Sequence, residues 1–264
     1  MATSSRSSSS SPVLLLKMVS PGPHRRGHAQ NLASKTIAEL AGLLNEALVS
    51  SAESPTEATY ICPPASPEDI EALKRRVIDE DGHCALDPDY VTFLTVSDGF
   101  KLQGPEQEDS ADDLIGILYN AARVIKEEHV DFHLFGANPL LHAPSQDIWK
   151  KFNWDSGVGV DLGPAGDEGS LWMFGPAELQ LLLRQFDDTY LTLTQDEKKQ
   201  VDQYVLETHG SMEAMRELRF SVMQFYHWSP KVKLHLGFRA YLEDLATMTL
   251  AGEDPYDYFL CQDA

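Results

Sequence analysis

Residues 158–174, VGVDLGPAGDEGSLWMF, constrain the fold more than any other stretch of this chain. Gly159, Gly163, Gly166 and Gly169 punctuate two short apolar runs. A phosphate-binding loop needs a helix start, with a lysine or free amides, directly after its glycines. SLWMF reads as a strand instead, so the stretch is expected to be a strand, a glycine-rich turn and a second strand. Asp161, Asp167 and Glu168 cluster on it and invite a calcium-loop reading. The alternating oxygen ligands and twelfth-position glutamate of an EF-hand are missing, so a turn is the expectation.

The flanking sequence supplies helices with legible starts. In SPEDIEALKRRVIDEDG, Ser66 is placed to cap, Pro67 takes the first helical position, and Glu68 and Asp69 complement the positive helix end. Ile70, Leu73 and Val77 form its apolar face, and Gly82 is placed to stop it. Asp87 and Pro88 start a second, short helix that turns Tyr90, Phe93 and Leu94 inward, and Asp98-Gly99 is a turn signal. Earlier, Ile37, Leu40, Ala41, Leu44 and Leu48 form one helical stripe, expected to pack within the chain.

Charge marks the first boundary. The net charge is −20, yet residues 1–38 hold Arg6, Lys17, Arg25, Arg26 and Lys35 and no acid. SSRSSSSSP is low-complexity and reads as a disordered tail, because it buries too little to offset ordering entropy. An acid-free Ser/Arg-rich start also resembles a mitochondrial transit peptide, which leaves that alternative open beside a cytoplasmic or nuclear location. VLLL is too short for a secretory or membrane-spanning segment, so no membrane association is expected. Nucleic acid is disfavoured as a partner by the acidic balance, whereas a basic protein is favoured. Cys62, Cys84 and Cys261 are sparse and lack C-x-x-C spacing, which argues for a reducing compartment and against structural zinc.

Three ordered blocks resemble the SUKH superfamily, which includes the fungal cell-wall assembly regulators (the killer-toxin-resistance type) and bacterial immunity proteins. The first is the Ser-Pro-Glu-led helix followed by Leu86, Pro88, Tyr90, Phe93-Leu94 and Ser97-Asp98-Gly99-Phe100. The second is Val160-Asp161-Leu162-Gly163-Pro164 with Gly166, Gly169 and SLWMF, preceded by Trp149 and Trp154. The third is LGFRAYLEDLATM, a closing helix burying Phe238, Tyr241, Leu242 and Leu245. The resemblance implies an α+β domain over residues 62–250, with a largely antiparallel sheet flanked by helices, and noncatalytic protein binding without a cofactor. It implies contact through Trp154, Asp161, Asp167, Glu168 and Trp172 near the glycine turn. The fungal type implies a regulatory or scaffold protein; the alternative is an immunity-like inhibitor of a basic toxin or nuclease.

Between Gly175 and Gly237 the chain is longer than that pattern, so residues 177–236 are expected to form a helical insertion. Thr194 and Glu197 make a capping box, Val201, Tyr204 and Val205 a stripe, and Gly210 a stop. Met212, Met215, Leu218, Val222 and Phe225 follow near helical spacing. The remaining organisation is a tail (1–30), an amphipathic helix (31–50), a linker (51–61) and an acidic C-terminal tail (251–264). EQEDSADD (106–113) reads as a solvated loop.

Enzyme signatures for nucleotide binding, serine hydrolysis and zinc proteolysis are absent from the sequence. His129 and His133 would share a face if DLIGILYNAARVIKEEHV were helical that far. With Asp131 or Glu128 they would mimic part of a metal site, the second alternative being a metal-dependent enzyme. No third convergent ligand is visible, and no metal site is expected. His24 and His28 lie in the tail.

Overall fold

A computed structural model describes residues 32–51, 61–78, 85–101, 116–130, 138–141, 146–152, 154, 157–164, 169–226 and 229–252. The tail, most of the 51–61 linker, Gly82, the 106–113 loop and most of the acidic C-terminal stretch lie outside these residues. The fold is α+β, built around an antiparallel sheet.

Among the described residues three α-helices precede the sheet: α1 (Ile37–Ser51), α2 (Pro67–Arg76) and α3 (Pro88–Leu94). Their starts follow the sequence chemistry. Ser66 accepts the Asp69 amide with Pro67 at the first helical position, and Asp87 accepts the Asp89 amide ahead of Pro88. A two-stranded pair, β1 (Phe100–Lys101) with β2 (Gly116–Leu118), comes next. The main sheet has the order β3 (Ile125–Val130), β4 (Gly157–Pro164), β5 (Gly169–Phe174), β6 (Ser221–Tyr226), β7 (Ser229–His235). A short α4 (Gln146–Trp149) precedes β4, and α5 (Pro176–Thr192), α6 (Gln195–His209) and α7 (Met212–Glu217) lie between β5 and β6. The closing helix is α8 (Phe238–Leu250).

Both faces of the sheet are covered. Along β5, Leu171 and Met173 join a core with α1, α2, α3 and α8, whereas Phe174 joins a second core with α5 and α6. Alternation along a strand sends successive side chains to opposite faces, so an apolar run such as SLWMF feeds two cores at once. The α1 stripe packs within the chain as expected: Leu40, Ala41 and Leu44 are fully buried, and α1 lies against α8. Its removal would strip one wall from the first core.

The helical insertion expected over 177–236 is corrected at its C-terminal end. Helices run from Pro176 to Glu217, with the Thr194–Glu197 capping box formed and Gly210 left-handed at φ 79°. From Ser221 the chain returns as β6 and β7, two strands of the main sheet. The misreading has a physical origin. Val222 faces one core and Met223 and Phe225 the other, and an apolar run covered on both faces shows no strand alternation against which a helical spacing can be rejected.

The segment 116–130 is likewise not helical: it holds β2, a turn and β3. Asn120 makes the turn by accepting the Arg123 amide on its side chain, and the Arg76 guanidinium binds the Ala121 and Val124 carbonyls from α2. Those carbonyls are thereby taken up by a residue distant in sequence.

His235 on β7 is buried edge-on to Tyr241 of α8, with ring centroids 5.3 Å apart. Burial pushes its imidazole down to about 4; the nearby Asp244 carboxylate opposes this and Lys233, ion-paired to Asp244, adds to it. A folded value below the ordinary one means stability is complete above pH ~6.5 and is lost as pH falls toward ~4, up to about 3 kcal/mol. The expected result for His235→Leu is a flatter acid limb in urea denaturation between those pH values, with a smaller slope than wild type.

Candidate functional site

The glycine-punctuated stretch supplies two strands, β4 and β5, paired antiparallel, and residues 165–168 between them lie outside the described residues. In the β4–β5 register Asp161 stands opposite Trp172, and in the β3–β4 register Ile125 stands opposite Asp161. Directly opposed residues of antiparallel strands share a face. Three elements thus present an aliphatic, an acidic and an aromatic side chain in one row across the sheet.

Each member of the row is held in place. The Asp161 carboxylate accepts the Gly163 amide at 3.0 Å, at a register shift between Asp161 and Gly163, where φ of Gly163 is 149°. That conformation is open to glycine and strained for other residues. Trp172 packs on Phe225 at 4.2 Å between ring centroids and is half-buried, while Ile125 is 47% exposed. Tyr119 stands in the field of Asp161; burial first, then that carboxylate, push its hydroxyl above the ordinary tyrosine value. The Arg123 guanidinium lies 4.8 Å from the Tyr119 ring centroid.

Trp154 is not part of this surface. It is fully buried, stacked on Phe152 at 4.9 Å and 2° between ring planes, and belongs to the second core. The expectation that it offers an aromatic anchor is corrected by this packing. Asp167 and Glu168 lie outside the described residues. His129 stands in β3 rather than on a helix, and His133 lies outside the described residues, so the helical geometry that would have paired them does not exist. Among the described residues no group of three His, Cys, Asp or Glu comes together that could hold a metal ion. Among them, too, no helix is long and apolar enough to cross a membrane.

Two carboxyls missed by the sequence reading as chemistry are set by burial. Asp87, read as the cap of α3 alone, also caps α8: one oxygen accepts the Asp89 amide at 2.8 Å and the other the Phe238 amide at 2.9 Å. It is 7% exposed, and burial pushes its carboxyl above the ordinary aspartate value against those two donors. No local signal announces a partner 151 residues away. Glu178, in the first turn of α5, is pushed up to about 7 by burial, opposed by one hydrogen bond from the Val158 amide; its Oε1 is buried without a hydrogen bond.

A folded value raised above the ordinary one gives Glu178 a stability contribution that is complete below pH ~4.5 and lost as pH rises through ~7. Glu178→Gln keeps the acceptor for Val158 and removes the charge. Its expected effect is a gain of about 1–3 kcal/mol at pH 8, discounted for solvent reaching the group, with little difference from wild type at pH 4.5. Urea midpoints at the two pH values check it.

Comparisons with protein-family models, with curated proteins and with solved structures find no match to this chain.

Proposed function

We propose that the chain is a noncatalytic protein-interaction module of the SUKH cell-wall assembly regulator type, engaging a basic protein partner through the row Ile125–Asp161–Trp172. The observation that carries this reading is the row itself: a half-buried tryptophan and a 47% exposed isoleucine on either side of a carboxylate. Aromatic anchors with an adjacent charge are the usual makings of an interface hot spot, and the net charge of −20 favours encounter with basic surfaces. The three blocks of sequence resemblance supply the class.

The test is capture of Lys/Arg-rich partners by the full-length chain beside the variant Ile125→Lys, Asp161→Asn. Asparagine keeps an acceptor for the Gly163 amide while removing the charge, and Ile125 is exposed enough to take lysine. The expected result is loss of the captured partner with the melting temperature within a few degrees of wild type. Undiminished capture by a folded variant refutes the surface. A matching deletion of the basic tail must stop at residue 30, because the chain is built into the first core from Leu32 onward.

A further inference from the structure

A cleft of about 350 Å³ opens beside the Asp87 cap and shares no residue with the row above. Leu218, Phe220 and Leu236 line it with apolar side chains, and Asp87, Glu217 and Arg219 with charged ones. Each Asp87 oxygen accepts one amide, which leaves further lone pairs for another donor. Among the described residues no cation pairs with it directly. Arg239, the nearest influence of that sign, directs its donors to Asp89, Glu243 and the Lys35 carbonyl.

The cleft therefore combines a desolvated anion with apolar walls and lacks the matching cation. Arg219 does not fill that need: it is exposed, and an exposed charge is screened by water and salt far more than one held against a buried carboxylate. Gly237 completes the opening. A Cβ there would stand 3.1 Å from Asp87 Oδ2, so glycine keeps that approach clear.

We infer that this cleft takes a primary alkylammonium group, the side chain of a lysine presented by a protein partner, with the ammonium against Asp87 and the alkyl chain along Leu218, Phe220 and Leu236. An anion is opposed by Asp87. An uncharged apolar chain leaves the buried carboxylate as it is. The ammonium is a compact point charge on a flexible apolar stem, which suits an apolar approach to one carboxylate.

The test is a titration of the full-length chain with n-pentylammonium, pentanoate and 1-pentanol, followed by amide chemical shifts. Pentylammonium is expected to shift the amides of Phe220, Leu236 and Gly237 saturably in the millimolar range, with the other two probes silent there. Asp87→Asn is expected to weaken this about tenfold or more. Because that change also weakens two helix caps, Leu236→Lys serves as a second variant: Leu236 is 41% exposed, and a lysine there places a competing ammonium at the cleft. It is expected to abolish pentylammonium binding in a folded protein. Equal shifts with pentanol or pentanoate, no saturable shift with pentylammonium, or full binding by folded Leu236→Lys would each overturn the assignment.

Discussion

Asp87→Ala is expected to lower the folding free energy by about 2–4 kcal/mol, read as a lower urea midpoint at unchanged m-value. An ordinary N-cap is worth about 1 kcal/mol, because it satisfies one amide that the helix leaves free. Asp87 serves two helices, and the Phe238 amide that it accepts is buried, so its loss adds the cost of an unpaired buried donor. It also sits where α3 and α8 meet: the Tyr90 ring lies 4.9 Å from Phe238, and Phe93 lies 5.4 Å from it. Asp87→Asn retains one acceptor oxygen and is expected to lose about half as much. Equal stability of Asp87→Ala and wild type would show that water replaces the carboxylate at both helix ends.

Trp154→Ala carries the other large expectation, a loss of about 3–5 kcal/mol. The ring heads a file of stacked aromatics: Trp154 on Phe152, Phe152 on Phe186 at 5.7 Å, and Phe186 on Tyr190 at 5.5 Å. These rings join the segment before β4 to α5, and a cavity among them cannot close without moving a helix or the sheet. Trp154→Phe keeps the stack and is expected to lose about 1–2 kcal/mol. The pair separates packing from recognition. A partner that binds Trp154→Phe normally, and is lost with Trp154→Ala only when that variant unfolds, places the tryptophan in the core alone.

Local chemistry made much of the fold legible. Ser66, Asp87 and Thr194 cap the helices they precede, since each offers a side-chain oxygen within reach of its own first-turn amides. The buried faces of α2, α3 and α8 follow the apolar spacing because each helix meets one core on one side. The pairing of β4 with β5 follows from the two apolar runs that the glycines separate. Legibility failed where two layers share a strand. β6 shows apolar residues at every position from Val222 to Tyr226 except Gln224, and such a run fits a helix as readily as a strand. β2 and β3 were obscured differently, by a turn that Arg76 stabilises from another element.

The candidate site divides the same way. Asp161 was noticed for its place beside the glycine turn, but its neighbours in the row are set by strand register, which hydrogen bonding between β3, β4 and β5 decides. Trp154 and Trp172 are equally apolar in sequence. Only packing distinguishes them, by burying Trp154 under Phe152 and leaving Trp172 half-covered on Phe225.

By itself the sequence determined where α2, α3 and α6 begin, which faces of α1, α2, α3 and α8 are apolar, that two strands flank the glycine-rich stretch, and that the chain is strongly acidic. These are consequences of side-chain reach, period and charge within a few residues. The tertiary structure alone decided that β6 and β7 complete the sheet, that Asp87 holds two helix ends together, and that Ile125, Asp161 and Trp172 share a row. Each of those depends on contacts between residues distant in the chain, whose energies appear only once the elements are packed.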